Sequence, residues 1–175
     1  EYPVQLIQTI SEPTPQKFIL QRKYRLLEPP FAKTGFDYSE NKESLICPIL
    51  LGENIFRDIP SRLQEMKADQ YVIITDSHVR KLYGDDLIES LRSTGLKTEI
   101  IAFPEGEREK TFTTLNEIAN HVLDLKITKR SCLVVLGGGV VGNLAGFLAA
   151  ILMRGIRFVH IPTTVTGQVD STTGG

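Results

Sequence analysis

Residues 131–147, SCLVVLGGGVVGNLAGF, decide how the rest of this chain is read. Residues 131–136 are a short apolar run of β type, Gly137, Gly138 and Gly139 remove every side chain, and a small-residue helix pattern starts at Val140. A strand that stops on glycines and turns straight into a helix aims several backbone N–H groups at one point, and the helix dipole adds partial positive charge there. A phosphate or diphosphate suits such a corner; a tight strand-to-helix connection with no guest is the alternative. The spacing is neither G-x-G-x-x-G nor G-x-x-x-x-G-K-[ST], so the ordinary dinucleotide fingerprint and the P-loop do not describe it. Gly142 and Gly146 are expected to let the helix lie close to a sheet or a ligand.

Outward from this centre the chain alternates. Downstream, 157–161 reads as a strand. Upstream, 97–103 is a strand, followed by the polar turn PEGEREK at 104–110 and a helix over 111–125. Before these, QYVIIT at 70–75 is a buried strand ending at Asp76, Ser77 and His78. A helix over 79–94 follows it, with Leu82, Leu87, Ile88 and Leu91 on one face and Gly95 as C-cap. Helical spacing recurs over 54–67 in Ile55, Ile59, Leu63 and Met66. Alternating strands and helices imply a parallel sheet covered on both faces, whose ligands gather beyond the carboxyl ends of the strands. Asp76, Glu105–Lys110, Gly137–Gly139 and Thr163–Asp170 should therefore converge on one edge of the sheet.

The first part of the chain is less regular. Residues 1–15 read as an arm and 28–43 as a loop; 17–27 and 45–51 are strand-like and are expected to pair as an antiparallel edge on the main sheet. The domain reading is an N-terminal extension over 1–43, an added strand or interaction surface, and one α/β domain over 44–175.

Bulk properties narrow the function. With 175 residues and a net charge of -1, acids and bases interspersed, the chain has no basic footprint for nucleic acid. The longest strongly apolar run, 147–153, is too short for a bilayer and is closed by Arg154, so no membrane role is expected. Cys47 and Cys132 lie in apolar runs without a C-x-x-C and read as reduced core thiols, so a cytoplasmic enzyme is the expectation. His78, His121 and His160 are scattered without ligand spacing, and no metal site is expected among these residues. The start without Met and the stop at Gly174–Gly175, inside what reads as a ligand loop, suggest a piece of a longer protein.

Several side chains carry two readings. Asp76 either accepts ribose hydroxyls or caps the helix after it, and the PEGEREK turn either contacts a nucleotide or is a charged surface turn. Arg154 has the fork geometry for a phosphate, or is a helix-end charge facing water.

From Gly137 onward, GGGVVGNLAGFLAAILMRGIRFVHIPTTVTGQVDSTTGG resembles the dehydroquinate synthase family of sugar-phosphate cyclases. Gly137–Asn143, Met153–Gly155, Pro162–Thr164, and Gln168–Ser171 followed by Gly174–Gly175 carry the resemblance, separated motifs in order at family spacing. The resemblance implies a Rossmann-like parallel sheet with helices on both faces, the N-terminal domain of a two-domain α/β fold. It implies NAD as cofactor, held by Asp76, Glu107, Lys110, the backbone of Gly138, Gly139 and Val140, Asn143, Thr163, Thr164 and Thr166. It further implies Arg154 on the phosphate of a phosphorylated sugar, Asp170 on its hydroxyls, and a homodimer. A divalent metal, zinc or cobalt, is expected in a C-terminal helical domain that this sequence does not contain. The implied activity is carbocycle formation with loss of phosphate. Its first form is 3-dehydroquinate synthase of the shikimate pathway, acting on 3-deoxy-arabino-heptulosonate 7-phosphate. Asn143 departs from the family's usual Asp and is similar to the 2-deoxy-scyllo-inosose synthases, which act on glucose 6-phosphate, whereas Gly174–Gly175 look more like dehydroquinate synthase. Metal-dependent glycerol and alcohol dehydrogenases share a GGG turn and stand as a further alternative, as does a nucleotide-binding domain without turnover.

Overall fold

The computed structural model describes residues 18–24, 45–51 and 55–169, the first two segments by backbone alone. The expected arm over 1–15 and loop over 28–43 lie outside the described residues. β1 (Phe18–Tyr24) and β2 (Leu45–Leu51) pair antiparallel from Phe18↔Leu51 to Tyr24↔Leu45, as their alternation suggests. They form a two-stranded sheet of their own, not an edge of the main sheet. Pro48 is compatible with this, since proline has no N–H for a ladder and both strands of a two-stranded sheet are edges.

Chain contacts divide the molecule into two compact units, Glu1–Ile59 and Pro60–Gly175. The second opens in α1 (Ile59–Glu65). It continues through β3 (Tyr71–Asp76), α2 (Ser77–Val79), one π turn at Arg80–Gly84, α3 (Asp85–Ser93) and β4 (Thr98–Phe103). Then come a 3-10 turn at Glu107–Glu109, α4 (Phe112–Asp124), β5 (Cys132–Gly137), α5 (Gly139–Ile151), a 3-10 turn at Leu152–Arg154, β6 (Arg157–Pro162) and α6 (Val165–Val169). The four strands are parallel in the order β4-β3-β5-β6. The chain steps outward from β3 to β4, then returns to β5 on the other side of β3. The strand order therefore reverses between β3 and β5, which is where a doubly wound sheet opens its ligand crevice.

Both inner strands are apolar because helices cover both their faces. Val72 and Ile74 of β3 and Leu133 and Val135 of β5 join Leu115, Ile118 and Val122 of α4 and Val141, Leu144 and Leu148 of α5 in one buried cluster. Alternation turns Tyr71 and Ile73 to the opposite face, and Leu63, Leu87 and Leu91 are fully buried outside that cluster. Leu82 departs from the expected helix face and is 52% exposed. The π turn at Arg80–Gly84 takes up more residues per turn than an α-helix, which rotates Leu82 out of line with Leu87 and Leu91. Gly146 departs too: a Cβ there would meet nothing within 4 Å, so only Gly142 serves close packing.

Candidate functional site

β5 ends at Gly137 and α5 begins two residues later, with Gly138 as an extended N-cap (φ -87, ψ -161) that provides no side-chain cap. Gly142 N–H donates to the Gly138 carbonyl at 2.9 Å, the first bond of the helix. The N–H groups of Gly139, Val140 and Val141 precede that bond and have no partner within the helix. Thr163 N–H donates to the Gly137 carbonyl at 3.1 Å and ties the end of β6 to the end of β5. Side chains are excluded here by contact. A Cβ on Gly137 would lie 2.5 Å from Cγ2 of Val141, and one on Gly138 2.9 Å from Cγ2 of Thr164. The sequence expectation that Gly138, Gly139, Val140, Thr163 and Thr164 meet at one corner therefore holds. Thr164 Oγ1 is already engaged: it accepts from Gly167 N–H at 3.0 Å and caps α6. Thr166 lies exposed in α6, and Asp170 falls outside the described residues.

The neighbouring strands bring the other candidates to the same edge. Asp76 ends β3, and its Oδ1 accepts from both His78 N–H (2.9 Å) and Val79 N–H (2.8 Å). The capping reading of Asp76 is realised, and neither of these bonds uses Oδ2. His78 Nδ1 stands 3.6 Å from Glu105 Oε2, so these two side chains span the ends of β3 and β4. Glu107 and Lys110 pair at 3.7 Å on the turn after β4, both exposed. Sequence reading passed over Glu109, which holds that turn in place: its Oε2 accepts from Thr114 Oγ1 at 3.0 Å. Thr111 caps α4 by accepting from Thr114 N–H at 3.1 Å; a Thr directly before the first helical residue was the available signal. Asn143 is exposed on α5 and, with Lys110, Thr111, Phe112, Leu115, Leu144 and Phe147, lines a cleft of about 280 Å³ between α4 and α5.

His160 is the second residue that sequence reading undervalued. The register Val135↔His160 places it on the α5 side of β6, and a Cβ on Gly142 would lie 2.7 Å from its Cε1. Its Nε2 is buried without a hydrogen-bond partner. Burial holds the imidazole below its ordinary pKa, with the Gly137 carbonyl acting weakly in the opposite direction.

Arg154 is not brought to this corner. α5 runs from the corner back along the sheet, and its 13 residues at 1.5 Å each cover about 20 Å before the chain turns into β6. Arg154 is thus exposed at the end of the sheet opposite to Gly138 and Thr164. It sits in a run of left-handed backbone, Met153 (φ 52), Arg154 (φ 62) and Gly155 (φ 100), which ends the helix abruptly. Among the described residues no three His, Cys, Asp or Glu side chains stand together to hold a metal ion, and no helix is long and apolar enough to cross a membrane.

Residues 100–175 match the family model of the 3-dehydroquinate synthase N-terminal domain. A 2-deoxy-scyllo-inosose synthase of Streptoalloteichus tenebrarius is 43% identical over 124 residues, 71% of this chain and 32% of that protein. A 3-dehydroquinate synthase of Rhizobium etli is 41% identical over 131 residues, 73% of this chain and 34% of that protein. A solved structure of 2-deoxy-scyllo-inosose synthase complexed with carbaglucose-6-phosphate, NAD+ and Co2+ superposes with a TM-score of 0.61 at 30% identity, over 70% of this chain and 34% of that one. The chain spans about a third of the length of the curated relatives it matches. The matched segment is the one that builds the glycine corner, and over residues 100–175 the chain matches the N-terminal domain of the dehydroquinate synthase family.

Proposed function

We propose that this chain supplies the NAD site, and part of the substrate site, of a sugar-phosphate cyclase, in the first place 3-dehydroquinate synthase. The observation that carries the reading is the uncapped first turn of α5, set against Thr164 where no Cβ fits. Gly139, Val140 and Val141 offer N–H groups to a diphosphate without any side chain to displace, and the positive end of α5 favours its charge. Asp76, through Oδ2, and the Glu107–Lys110 pair stand at the ends of β3 and β4 to take the ribose hydroxyls and balance phosphate charge. Thr163 and Thr166 extend the contact along β6 and α6, toward the nicotinamide end. When bound, NAD supplies a reversible hydride transfer that acidifies a substrate C–H for loss of phosphate and is undone before ring closure. The metal of the family finds no ligand set among the described residues.

Asn143 supports the second reading, 2-deoxy-scyllo-inosose synthase. It lines the α4–α5 cleft, as Lys110 does, and an amide there replaces the family carboxylate with a donor as well as an acceptor. The dehydrogenase alternative has no comparable support, because the MRGIRF and PTT runs fit cyclases better. For Arg154, the length of α5 favours a homodimer: a guanidinium about 20 Å from the corner serves a phosphate in a second copy's site more readily than in its own. The test is phosphate release by the full-length protein, with 3-deoxy-arabino-heptulosonate 7-phosphate and glucose 6-phosphate compared side by side. Stoichiometric NADH release with no phosphate would instead identify a dehydrogenase. In Asn143→Asp, an unchanged preference between the two sugars would remove that position from the choice of substrate.

A further inference from the structure

We propose that His160 is a positioning residue for the diphosphate corner, acting through Gly142 and only as a neutral imidazole. The proposal rests on the reading of that corner as a dinucleotide site, and it concerns how the first turn of α5 is held in place. Three ring atoms of His160 occupy the space a Cβ on Gly142 would take, with Cε1 at 2.7 Å, Nε2 at 3.2 Å and Nδ1 at 3.7 Å. The turn that presents the Gly139, Val140 and Val141 amides therefore lies against the imidazole, and a shift of the ring moves those amides. Interiors pack too closely to absorb such a shift elsewhere.

The charge state matters because, among the described residues, the elements packed on the ring offer no carboxylate to compensate a proton, and only the Gly137 carbonyl acts in its favour. β5 (CLVVLG), α5 (GVVGNLAGFLAAI) and α6 (VTGQV) contain no acidic or basic side chain apart from Cys132. Cys132 stands at the far end of β5, and burial pushes its thiol up to about 11, so it stays neutral. On β6 itself Arg157 is three residues away, hence on the other face, and is bound to the carbonyls of Met66 and Arg130. The positive end of α5 opposes a cation at this place. An imidazolium would bury an N–H at Nε2 with no acceptor, which the structure relieves by expelling the ring. The lowered pKa of His160 agrees with this geometry.

The test measures NAD affinity of the full-length protein by calorimetry between pH 5 and pH 8, with circular dichroism checking that each variant is folded. In the native chain affinity falls with acidification, approaching about tenfold per pH unit below the pKa of the ring. His160→Gln removes that slope, whatever its affinity at pH 8. Gly142→Ala weakens NAD at pH 8 about tenfold or more by displacing the ring, and His160→Ala in the same chain restores part of the loss by opening the space. Equal acid slopes in the native and His160→Gln chains overturn the proposal. So does tighter binding on acidification, which would make the imidazolium a counter-charge for diphosphate. An absence of NAD binding at every pH is a different result and removes the reading of the corner itself.

Discussion

Gly137 shows how strictly single residues are constrained at the corner. Its missing Cβ would lie 2.5 Å from Cγ2 and 2.7 Å from Cβ of Val141, and neither atom is the free end of a flexible chain. Gly137→Ala is expected to lower stability by about 1–3 kcal/mol in urea unfolding, the usual range for overpacking. Adding Val141→Ala should recover part of that loss; no recovery would place the strain elsewhere. Cys132 is constrained in another way. It is fully buried at the start of β5, and its thiol is pushed up to about 11, so almost no thiolate exists near neutrality. Iodoacetamide should leave the Cys132 peptide unmodified in the native chain and label it as urea unfolds the sheet, read by mass spectrometry. The run of glycines and the apolar surroundings of Cys132 were legible in the sequence. Which atoms close on Gly137, and that His160 fills the space at Gly142, were not, because those contacts join residues from different elements.

At the scale of elements, the two ends of the sheet are built differently. The end where the strands begin is tied down. Asp69 accepts from Ser131 Oγ at 2.6 Å and from Thr128 Oγ1, and Arg157 reaches the carbonyls of Met66 (2.8 Å) and Arg130. These bonds join the approaches to β3, β5 and β6. At the end where the strands finish, the first turn of α5 is left without a side-chain cap, and Glu107 and Lys110 are exposed. Hydrogen bonds from Ser131 and then Thr128 hold the Asp69 carboxyl below its ordinary value of 3.8. A depressed carboxyl stabilises the fold above the unfolded pKa and loses that effect as the pH falls through the lower, folded pKa. Asp69→Asn should therefore lower the urea midpoint at pH 7, and its difference from the native chain should shrink below about pH 4. A difference that does not shrink at all as the pH falls below about 4 would mean that the bonds do not depend on the charge. The strands and helices behind this arrangement were readable from period and punctuation. The π turn that exposes Leu82 was not, since nothing in RKLYG distinguishes it from an α-helical turn.

For the whole molecule, the order β4-β3-β5-β6 is what brings separate motifs to one edge of the sheet. It sets Asp76, the Glu107–Lys110 turn, the glycines and Thr163–Thr164 on one edge, and it sends Arg154 to the other by the length of α5. Arg154→Ala in the full-length protein should raise the KM for a sugar phosphate by about tenfold or more, the size expected for a lost charge-assisted hydrogen bond, and leave NAD affinity unchanged. Equal losses for both ligands would remove Arg154 from phosphate recognition. Bound NAD should also raise the unfolding free energy by about 2.7 kcal/mol at a hundred times its dissociation constant.

The sequence by itself determined the parallel α/β class, the strand-to-helix corner at Gly137–Gly139 and the family resemblance of the segment around it, because periodicity, glycine punctuation and motif order are local properties of the chain. Only the tertiary structure decided that the N-terminal strands pair apart from the main sheet, that Asp76 is engaged as a helix cap, and that Arg154 and the glycine corner lie at opposite ends of α5. Those facts depend on strand order and on the direction of a helix in space, and residues distant along the chain fix both together.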